Sequence, residues 1–115
     1  MGLLLVDDHA GFRATARSLL EAEGMLVLGE AADGQSALRQ VIELQPSLVV
    51  LDVYLHDEDG FDVCARLLAL PEPPSVILIS SRSEGEIRRR LGTSAAVGFI
   101  AKSRLSAAAI DRLLP

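Results

Sequence analysis

Five short segments that are apolar throughout constrain the fold more than any other feature of this chain. They cover residues 3–6, 25–28, 48–51, 76–79 and, more weakly, 97–100, and helical patterns separate them. Strands without polar alternation belong to a sheet covered on both faces, and intervening helices make such a sheet parallel. The sequence therefore predicts an α/β fold of the (βα)5 kind, a doubly wound parallel sheet of five strands.

The first two helices are predicted from apolar spacing and from residues that begin or end helices. The first helix is predicted to point four side chains toward the core and three toward solvent, and to end at Gly24. The inward residues are Phe12, Ala16, Leu19 and Leu20, and the outward ones are Arg13, Arg17 and Glu21. In the second helix, Asp33 is the N-cap, Leu38, Val41 and Ile42 face the core, and Pro46 blocks continuation.

The remaining three helices follow the same rules. Asp59 caps a third helix that buries Cys64, Leu67 and Leu68. Ser83 and Glu86 have capping-box spacing at the start of a fourth, which offers mainly Ile87 and Leu91 to a core and is expected to be the least firmly anchored. A fifth helix is predicted over residues 103–114. Its buried side chains are Leu105, Ala109, Ile110 and Leu113.

Composition excludes several classes of function. A chain of 115 residues with half of them hydrophobic is expected to form one domain over residues 1–115. The net charge of −5 argues against direct binding to nucleic acid, because phosphate neutralisation drives that binding. Its apolar runs fall far short of the ~20 residues that span a bilayer, the amino terminus lacks a secretory pattern, and Cys64 has no disulfide partner. We expect a cytoplasmic protein with no membrane partner.

Polar residues end four of the five predicted strands or follow them closely. Asp7 and Asp8 follow the first strand, Asp52 closes the third, Ser80 closes the fourth, and Lys102 comes two residues after the fifth. Ligands of open parallel sheets bind at the carboxyl ends of the strands. These five polar residues are therefore expected to meet at one edge of the sheet.

Three carboxylates at one edge require positive charge. Each like-charge pair at ~4 Å and an effective dielectric constant near 20 costs about 4 kcal/mol, which a marginally stable domain does not tolerate uncompensated. Lys102 supplies one positive charge, and a hard cation that prefers oxygen ligands, Mg²⁺ above all, would supply the rest. His9 and His56 are expected to be solvated or hydrogen-bonded rather than a metal-binding pair, since Mg²⁺ prefers oxygen.

Such a site suits phosphoryl transfer, which depends mainly on positioning and charge neutralisation. Asp52 is the expected nucleophile, giving an aspartyl phosphate, because it projects singly from a central strand. Asp7 and Asp8 would hold the metal, Lys102 would pair with one phosphoryl oxygen, and the Ser80 hydroxyl would donate to another.

Taken together, these residues resemble a response-regulator receiver domain over essentially the whole chain. The matching groups are Asp7-Asp8, Asp52 with Asp59-Gly60, Ser80-Ser81, and Lys102 preceded by Gly98-Phe99-Ile100. Residues 6–9 and 29–34 are similar to the subgroup whose receivers precede a LuxR/NarL-type helix-turn-helix.

The resemblance implies a flavodoxin-like fold with strand order 2-1-3-4-5 and a role in two-component signal transduction. It implies that a sensor histidine kinase supplies the phosphoryl group to Asp52, and that Mg²⁺ is bound by Asp8, Asp52 and the backbone carbonyl of Tyr54, with Asp7 acting through water. Ser80 and Phe99 would form a switch that reshapes the face of the fourth helix, fifth strand and fifth helix. That face would serve for homodimerisation or partner docking, and transcription would be regulated through an output domain absent from this chain, which alone would contact DNA.

Some positions differ from the usual family pattern or flank the expected phosphoryl site. His56 replaces a common Pro, Phe99 a common Tyr, and Ser103 a frequent Pro after the lysine. The residues flanking the phosphoryl site are Tyr54, Ser81 and Arg82. The large side chains of Tyr54 and Arg82 are expected to hinder attack by water and to lengthen the lifetime of the phosphoryl group.

Three other functions are compatible with some of these residues. A Mg²⁺-dependent phosphatase or hydrolase would use Asp52 catalytically but would need a substrate pocket. A nucleotide-binding domain is disfavoured, because neither glycine-rich phosphate motif follows the first strand. A pure interaction module would carry the acids without accepting phosphate. The leading prediction is not an enzyme but a phosphoacceptor that catalyses only its own phosphorylation and dephosphorylation.

Overall fold

A central parallel sheet of five strands organises the chain, of which the computed structural model describes residues 2–82 and 84–115. The strands are β1 (Leu3–Val6), β2 (Val27–Ala31), β3 (Leu48–Asp52), β4 (Ser75–Ser80) and β5 (Gly98–Ala101). Their spatial order is β2-β1-β3-β4-β5, with every pairing parallel. The predicted doubly wound α/β fold and its strand order are confirmed.

Five helices cover the two faces of this sheet. They are α1 (Ala10–Ala22), α2 (Gly34–Leu44), α3 (Gly60–Leu68), α4 (Glu84–Leu91) and α5 (Ala107–Leu113). Alternate strand residues such as Leu4 and Val6 pack under α2, α3 and α4, whereas Leu3 and Leu5 pack under α1 and α5. No described helix is long and apolar enough to cross a membrane.

Several predicted helix ends are present in the structure. Gly24 follows α1 with a φ of 92°, which glycine adopts without the steric cost that a side chain brings. The side chain of Asp33 accepts the amide hydrogen of Ser36 at the start of α2, and Asp59 accepts that of Phe61 at the start of α3. In the capping pair predicted for the fourth helix, Ser83 lies outside the described residues, and so does the side chain of Glu86.

Two predicted boundaries are wrong. The second strand spans Val27–Ala31 rather than residues 25–28. It begins later because the amide of Met25 still bonds to the carbonyl of Leu20 and closes the turn after α1. The predicted fifth helix is two elements, a 3-10 helix over Lys102–Arg104 and then α5. Ser106 separates them, since its side chain accepts the amide hydrogen of Ala109 as an N-cap.

Three predicted side-chain orientations are also wrong. Leu19 is 40% exposed and Ile42 is 59% exposed, because the buried face of α1 is formed by Ala16 and Leu20 and that of α2 by Ala37 and Val41. Arg13 was expected on the outer face of α1, yet only 17% of its side chain is exposed, since it lies against Glu30 of β2.

A short hairpin that the sequence did not predict lies between β3 and α3. Its strands, Tyr54–Leu55 and Glu58–Asp59, pair antiparallel with Tyr54 opposite Asp59, and His56 lies in the exposed turn. Gly60 follows immediately, where a Cβ atom would collide with the backbone oxygen of Asp52. The glycine therefore allows the chain to fold back closely over the end of β3.

Candidate functional site

Two buried carboxylates lie side by side at the carboxyl edge of the sheet. Val6 pairs with Leu51 in the register of β1 and β3, so the next residue of each strand, Asp7 and Asp52, reaches the same edge. The amide of Asp7 donates to the carbonyl of Ala31, which extends the pairing with β2. Both acids are almost completely buried.

Lys102 lies between these two acids. Its Nζ is 2.5 Å from Asp7 Oδ2 and 3.1 Å from Asp52 Oδ2, and it lies 4.5 Å from the centre of the Phe12 ring. Burial lowers the pKa of Lys102, but the hydrogen bonds to Asp7 and Asp52 outweigh that effect and the pKa is raised. The lysine is therefore held as a cation in contact with both acids.

Asp52 is constrained at both of its side-chain oxygens. The backbone amide of Tyr54 donates to Oδ1 at 3.1 Å, while Lys102 donates to Oδ2. Burial raises the pKa of Asp52, and the Tyr54 amide and the Lys102 ammonium offset this only in part. The carboxylate thus has a fixed orientation and incomplete charge compensation.

Asp8 and His9 complete the cluster on the side of β1. His9 Nδ1 lies 3.0 Å from Asp8 Oδ1 and 3.1 Å from Asp7 Oδ1, and the His9 amide donates to Asp7 Oδ1 at 2.8 Å. Ligand atoms of Asp7, Asp8, His9 and Asp52 all lie within 4.8 Å of one another. His9 is hydrogen-bonded, which is one of the two states expected for it, whereas its place inside the acidic cluster was not predicted.

The donor set fits a hard divalent cation. Asp8 Oδ1 is buried and accepts no hydrogen bond from the described residues, although His9 Nδ1 lies near it, whereas the buried Asp7 Oδ2 is paired with the Lys102 ammonium. Three carboxylates face one ammonium group, so negative charge remains in excess. Mg²⁺ favours such oxygen ligands and retains some water. Asp7, Asp8 and Asp52 are the residues positioned to bind it.

Ser80 and the two residues after it form the opposite wall of the site. Ser80 is buried at the end of β4, and its Oγ accepts the amide hydrogen of Arg82 at 3.0 Å. The guanidinium carbon of Arg82 lies 4.3 Å from the centre of the Tyr54 ring, so the two predicted flanking side chains stack on each other. Ser81 is exposed at the mouth.

These groups enclose an open cleft of about 260 Å³. It is lined by Asp8, His9, Asp52, Tyr54, Leu55, His56, Ser80, Ser81, Arg82 and Lys102. A larger groove of about 490 Å³ lies between α3 and α4, beside Phe61, Cys64 and Arg90. In that groove burial raises the pKa of the Cys64 thiol, and Arg90 already binds Asp59 at 2.6 Å. The smaller cleft is the candidate site because charged groups of both signs converge there.

Phe99, the expected switch residue, lies outside this cleft. It is half-buried in β5, opposite Leu78 of β4, and packs against the cluster beneath α2, α3 and α4. It also borders a surface groove with Arg104 and Arg112. A switch role for Phe99 would therefore act on the cleft through β4 and β5 rather than through direct contact.

Contacts of two arginines were missed by sequence reasoning. Arg13 donates to the backbone oxygen of Asp7 at 2.5 Å and to Glu30 at 3.1 Å. Arg90 binds Asp59 and lies 4.3 Å from the centre of the Phe61 ring. The acidic partners lie 17 and 31 residues away in the sequence, so local periodicity gave no indication of either contact.

Comparison with known proteins agrees with this geometry. The family model for the response regulator receiver domain matches residues 3–113. BvgA of Bordetella pertussis, named as a positive transcription regulator of virulence factors, is 38% identical over 100 residues, covering 87% of this chain and 48% of BvgA. A protein-glutamate methylesterase/protein-glutamine glutaminase of Geobacter sulfurreducens is 39% identical over 101 residues, covering 87% of this chain and 27% of that enzyme.

A solved structure gives the same result. The signal receiver domain of the response regulator NarL from Mycobacterium tuberculosis superposes with a TM-score of 0.83 at 30% identity, covering 96% of this chain and 94% of that chain. The chain spans about half of BvgA and about a quarter of the methylesterase. This chain belongs to the response-regulator receiver domain family, and its flavodoxin-like fold is that of two-component receivers.

Proposed function

We propose that this receiver domain accepts a phosphoryl group on Asp52 from the phosphohistidine of a sensor kinase, in a Mg²⁺-dependent reaction. The observation that carries the proposal is the convergence of Asp7, Asp8, Asp52 and Lys102 at one edge of the sheet. Asp8, Asp52 and the Tyr54 carbonyl would bind the metal directly, and Asp7 would do so through water. Bound Mg²⁺ supplies positive charge that offsets the charge on the phosphoryl oxygens.

The transfer is a displacement at phosphorus. One oxygen of the Asp52 carboxylate forms the new bond with its electron pair, and the bond from phosphorus to the donor nitrogen breaks with its pair leaving on the imidazole. The Tyr54 amide and Lys102 orient the carboxylate beforehand. Lys102 then pairs with a phosphoryl oxygen, and Ser80, which accepts through a lone pair, retains its O–H to donate to another.

The proposed output is a shift of the face made by α4, β5 and α5. Ser80 and Phe99 lie on neighbouring strands, so movement of one is transmitted through the β4–β5 pairing. Ligand binding that favours one of two conformations shifts their populations. We propose that this face binds a second copy or an output domain. The transcription regulator among the relatives supports an effect on transcription, through a domain outside residues 1–115 that alone would contact DNA.

Intact-mass analysis after incubation with acetyl phosphate and Mg²⁺ tests the phosphoryl acceptance. We expect the wild-type chain to gain one phosphoryl group, Asp52→Asn to gain none, and a chelator to abolish the reaction. Asp57→Asn is a matched control. The substitution removes the same charge, and Asp57 is 88% exposed in the hairpin turn.

Other results would identify a different function. A wild-type chain that gains no phosphoryl group would favour the pure interaction module. Multiple turnover on a phosphate ester, lost in Asp52→Asn, would favour the hydrolase. Phosphorylation that persists in Asp52→Asn would assign the acceptor to another residue and contradict the proposal.

A further inference from the structure

The network around Arg13 suggests how the acidic pair is held in position. Arg13 lies in the first turns of α1, and its guanidinium binds two groups at once. One nitrogen donates to the backbone oxygen of Asp7 at 2.5 Å, and Nε donates to Glu30 Oε1 at 3.1 Å. The contact is largely buried, with 17% of the Arg13 side chain and 28% of the Glu30 side chain exposed.

We infer that Arg13, held by Glu30, is a positioning residue that sets the geometry of the Asp7-Asp8 pair for Mg²⁺. This inference rests on the proposed Mg²⁺-dependent phosphorylation. It adds a residue that touches neither the metal nor the phosphoryl group.

The backbone of Asp7 explains why this contact reaches the metal site. β-sheet pairing fixes its amide, which donates to Ala31, but its carbonyl lies beyond the last residue of β1. Arg13 binds that carbonyl and so fixes the peptide plane that leads into Asp8. Rotation of this plane would change the direction of the Asp8 carboxylate, which comes from a residue outside any regular element.

Glu30 acts in turn as the anchor of Arg13. It lies in the edge strand β2 and binds Arg13 through Oε1 and Arg17 through Oε2, at 3.1 and 3.2 Å. Arg17 also donates to the backbone oxygen of Val27 in the same strand. A planar guanidinium presents several donors in a fixed fork, so binding at two points restricts it more than a lysine ammonium would be restricted.

Charge and positioning predict opposite changes of Mg²⁺ affinity when Arg13 is removed. Arg13 carries a positive charge close to a cation site, so its removal should favour Mg²⁺ binding if charge alone mattered. A positioning role predicts the opposite, because residues that orient metal ligands typically contribute 10–100-fold to metal affinity. Weaker Mg²⁺ binding after loss of Arg13 therefore cannot arise from the change of charge.

Arg17 provides a matched control within the same helix. It lies one turn later, binds the same glutamate and carries the same charge, but among its contacts there is none with Asp7. Arg13→Gln and Arg17→Gln thus remove equal charge and comparable contacts with Glu30, while only the first releases the Asp7 carbonyl.

The experiment is calorimetric titration of Mg²⁺ into the wild type, Arg13→Gln and Arg17→Gln, with thermal unfolding recorded for each. We expect the Kd for Mg²⁺ to rise about tenfold in Arg13→Gln and to change by less than about twofold in Arg17→Gln. At saturating Mg²⁺, the rate of phosphorylation by acetyl phosphate should return close to the wild-type rate in Arg13→Gln. A structural role alone would lower the unfolding temperature of both variants without separating their Mg²⁺ affinities.

A second variant covers the case in which Arg13→Gln does not fold. Glu30→Asp keeps the negative charge but shortens the side chain that anchors Arg13, and should raise the Kd for Mg²⁺ in the same direction by less than the tenfold expected for Arg13→Gln. Unchanged or tighter Mg²⁺ binding in Arg13→Gln would overturn the inference and leave the proposed function intact. A rise of the Kd in Arg17→Gln equal to that in Arg13→Gln would do the same. A wild-type chain that binds no Mg²⁺ would overturn both the inference and the proposed function.

Discussion

The two flanks of the sheet are held in different ways. On the α1–β2 flank, α1 buries Ala16 and Leu20 completely, and Arg13 and Arg17 tie it to Glu30 of the edge strand. On the α4–β5 flank, Ile87 is the one fully buried side chain among those described in α4, and Leu91 is half-buried. Arg90 adds an ion pair, but with Asp59 of the hairpin rather than with the sheet.

The candidate site and the proposed switch face of α4, β5 and α5 therefore lie beside different flanks. The acids Asp7 and Asp8 follow β1, beside the firmly held flank, whereas Phe99 lies in β5 beside α4. A metal site needs ligands in fixed positions, and a switch needs an element that opens at low free-energy cost. Asp7 and Asp8 of the proposed metal site thus lie beside the firmly held flank, and the proposed switch face lies on the other flank.

The largest expected effect tests this asymmetry directly. Leu20→Ala should lower the free energy of unfolding by about 3–4 kcal/mol, because the cavity lies under a helix that cannot detach without breaking its ionic contacts. Ile87→Ala should cost about 2 kcal/mol, at the low end of that range, because α4 can open locally instead. Urea denaturation measures the free energy of unfolding of both variants. Amide hydrogen exchange in α4 should accelerate far more in Ile87→Ala than in Leu20→Ala. Equal losses of unfolding free energy, with equal exchange rates in α4, would show that the two flanks are held equally firmly.

A smaller effect is expected at Asp52, which lies between the flanks. Burial raises its pKa above the value in the unfolded chain, so its contribution to stability is fully present below the unfolded pKa, about 3.9, and is lost as pH rises through the folded pKa. The side chain of Asp52→Asn carries no titratable group, so this variant should be more stable than the wild type at pH 7 in a chelator. The difference should shrink as pH falls toward 4.

Denaturant titrations at several pH values, with and without Mg²⁺, check this prediction. Asp57→Asn is the control and should leave the free energy of unfolding unchanged, because its carboxylate is exposed. Added Mg²⁺ should stabilise the wild type and not Asp52→Asn. An Asp52→Asn variant less stable than the wild type at pH 7 in a chelator would show that the bond to Lys102 outweighs the burial of the charge.

The architecture was predictable because its evidence is local. Runs such as Leu48–Asp52 are apolar throughout, which indicates a strand covered on both faces, and Asp33 and Asp59 cap helices through bonds within three residues. The predicted bounds of β2, an edge strand, were wrong because the local apolar pattern there does not follow the strand. Gly29 and Glu30 interrupt its apolar pattern, as an edge strand allows, while Leu26 is apolar yet 58% exposed and precedes the strand.

The candidate site was predictable only as a set of residues at one edge. Topology brings strand ends together, so Asp7, Asp52 and Lys102 could be grouped before any distance was known. The contact of Arg13 with the Asp7 carbonyl depends on a backbone atom. The stacking of Arg82 on Tyr54 depends on the loop after β4 and on the hairpin after β3. Neither a carbonyl direction nor a loop conformation is encoded in residue spacing.

The smallest expected effect concerns that stacked pair, which bridges the hairpin and the end of β4. Water must approach the phosphoryl group opposite Asp52, and the pair lies at the mouth of the cleft. A cation–π contact at a partly exposed position favours the stacked arrangement by about 0.5–1 kcal/mol. Losing it should raise the population that admits water, and so the rate of hydrolysis, by at most about two- to fivefold. Decay of the phosphorylated protein, followed by intact mass after removal of the donor, should show this for Tyr54→Ala and Arg82→Ala. Tyr54→Phe, which keeps the ring, and Arg39→Ala, which removes an exposed charge on α2, should decay like the wild type. Unchanged decay in both alanine variants would mean that the stacked pair does not restrict the access of water.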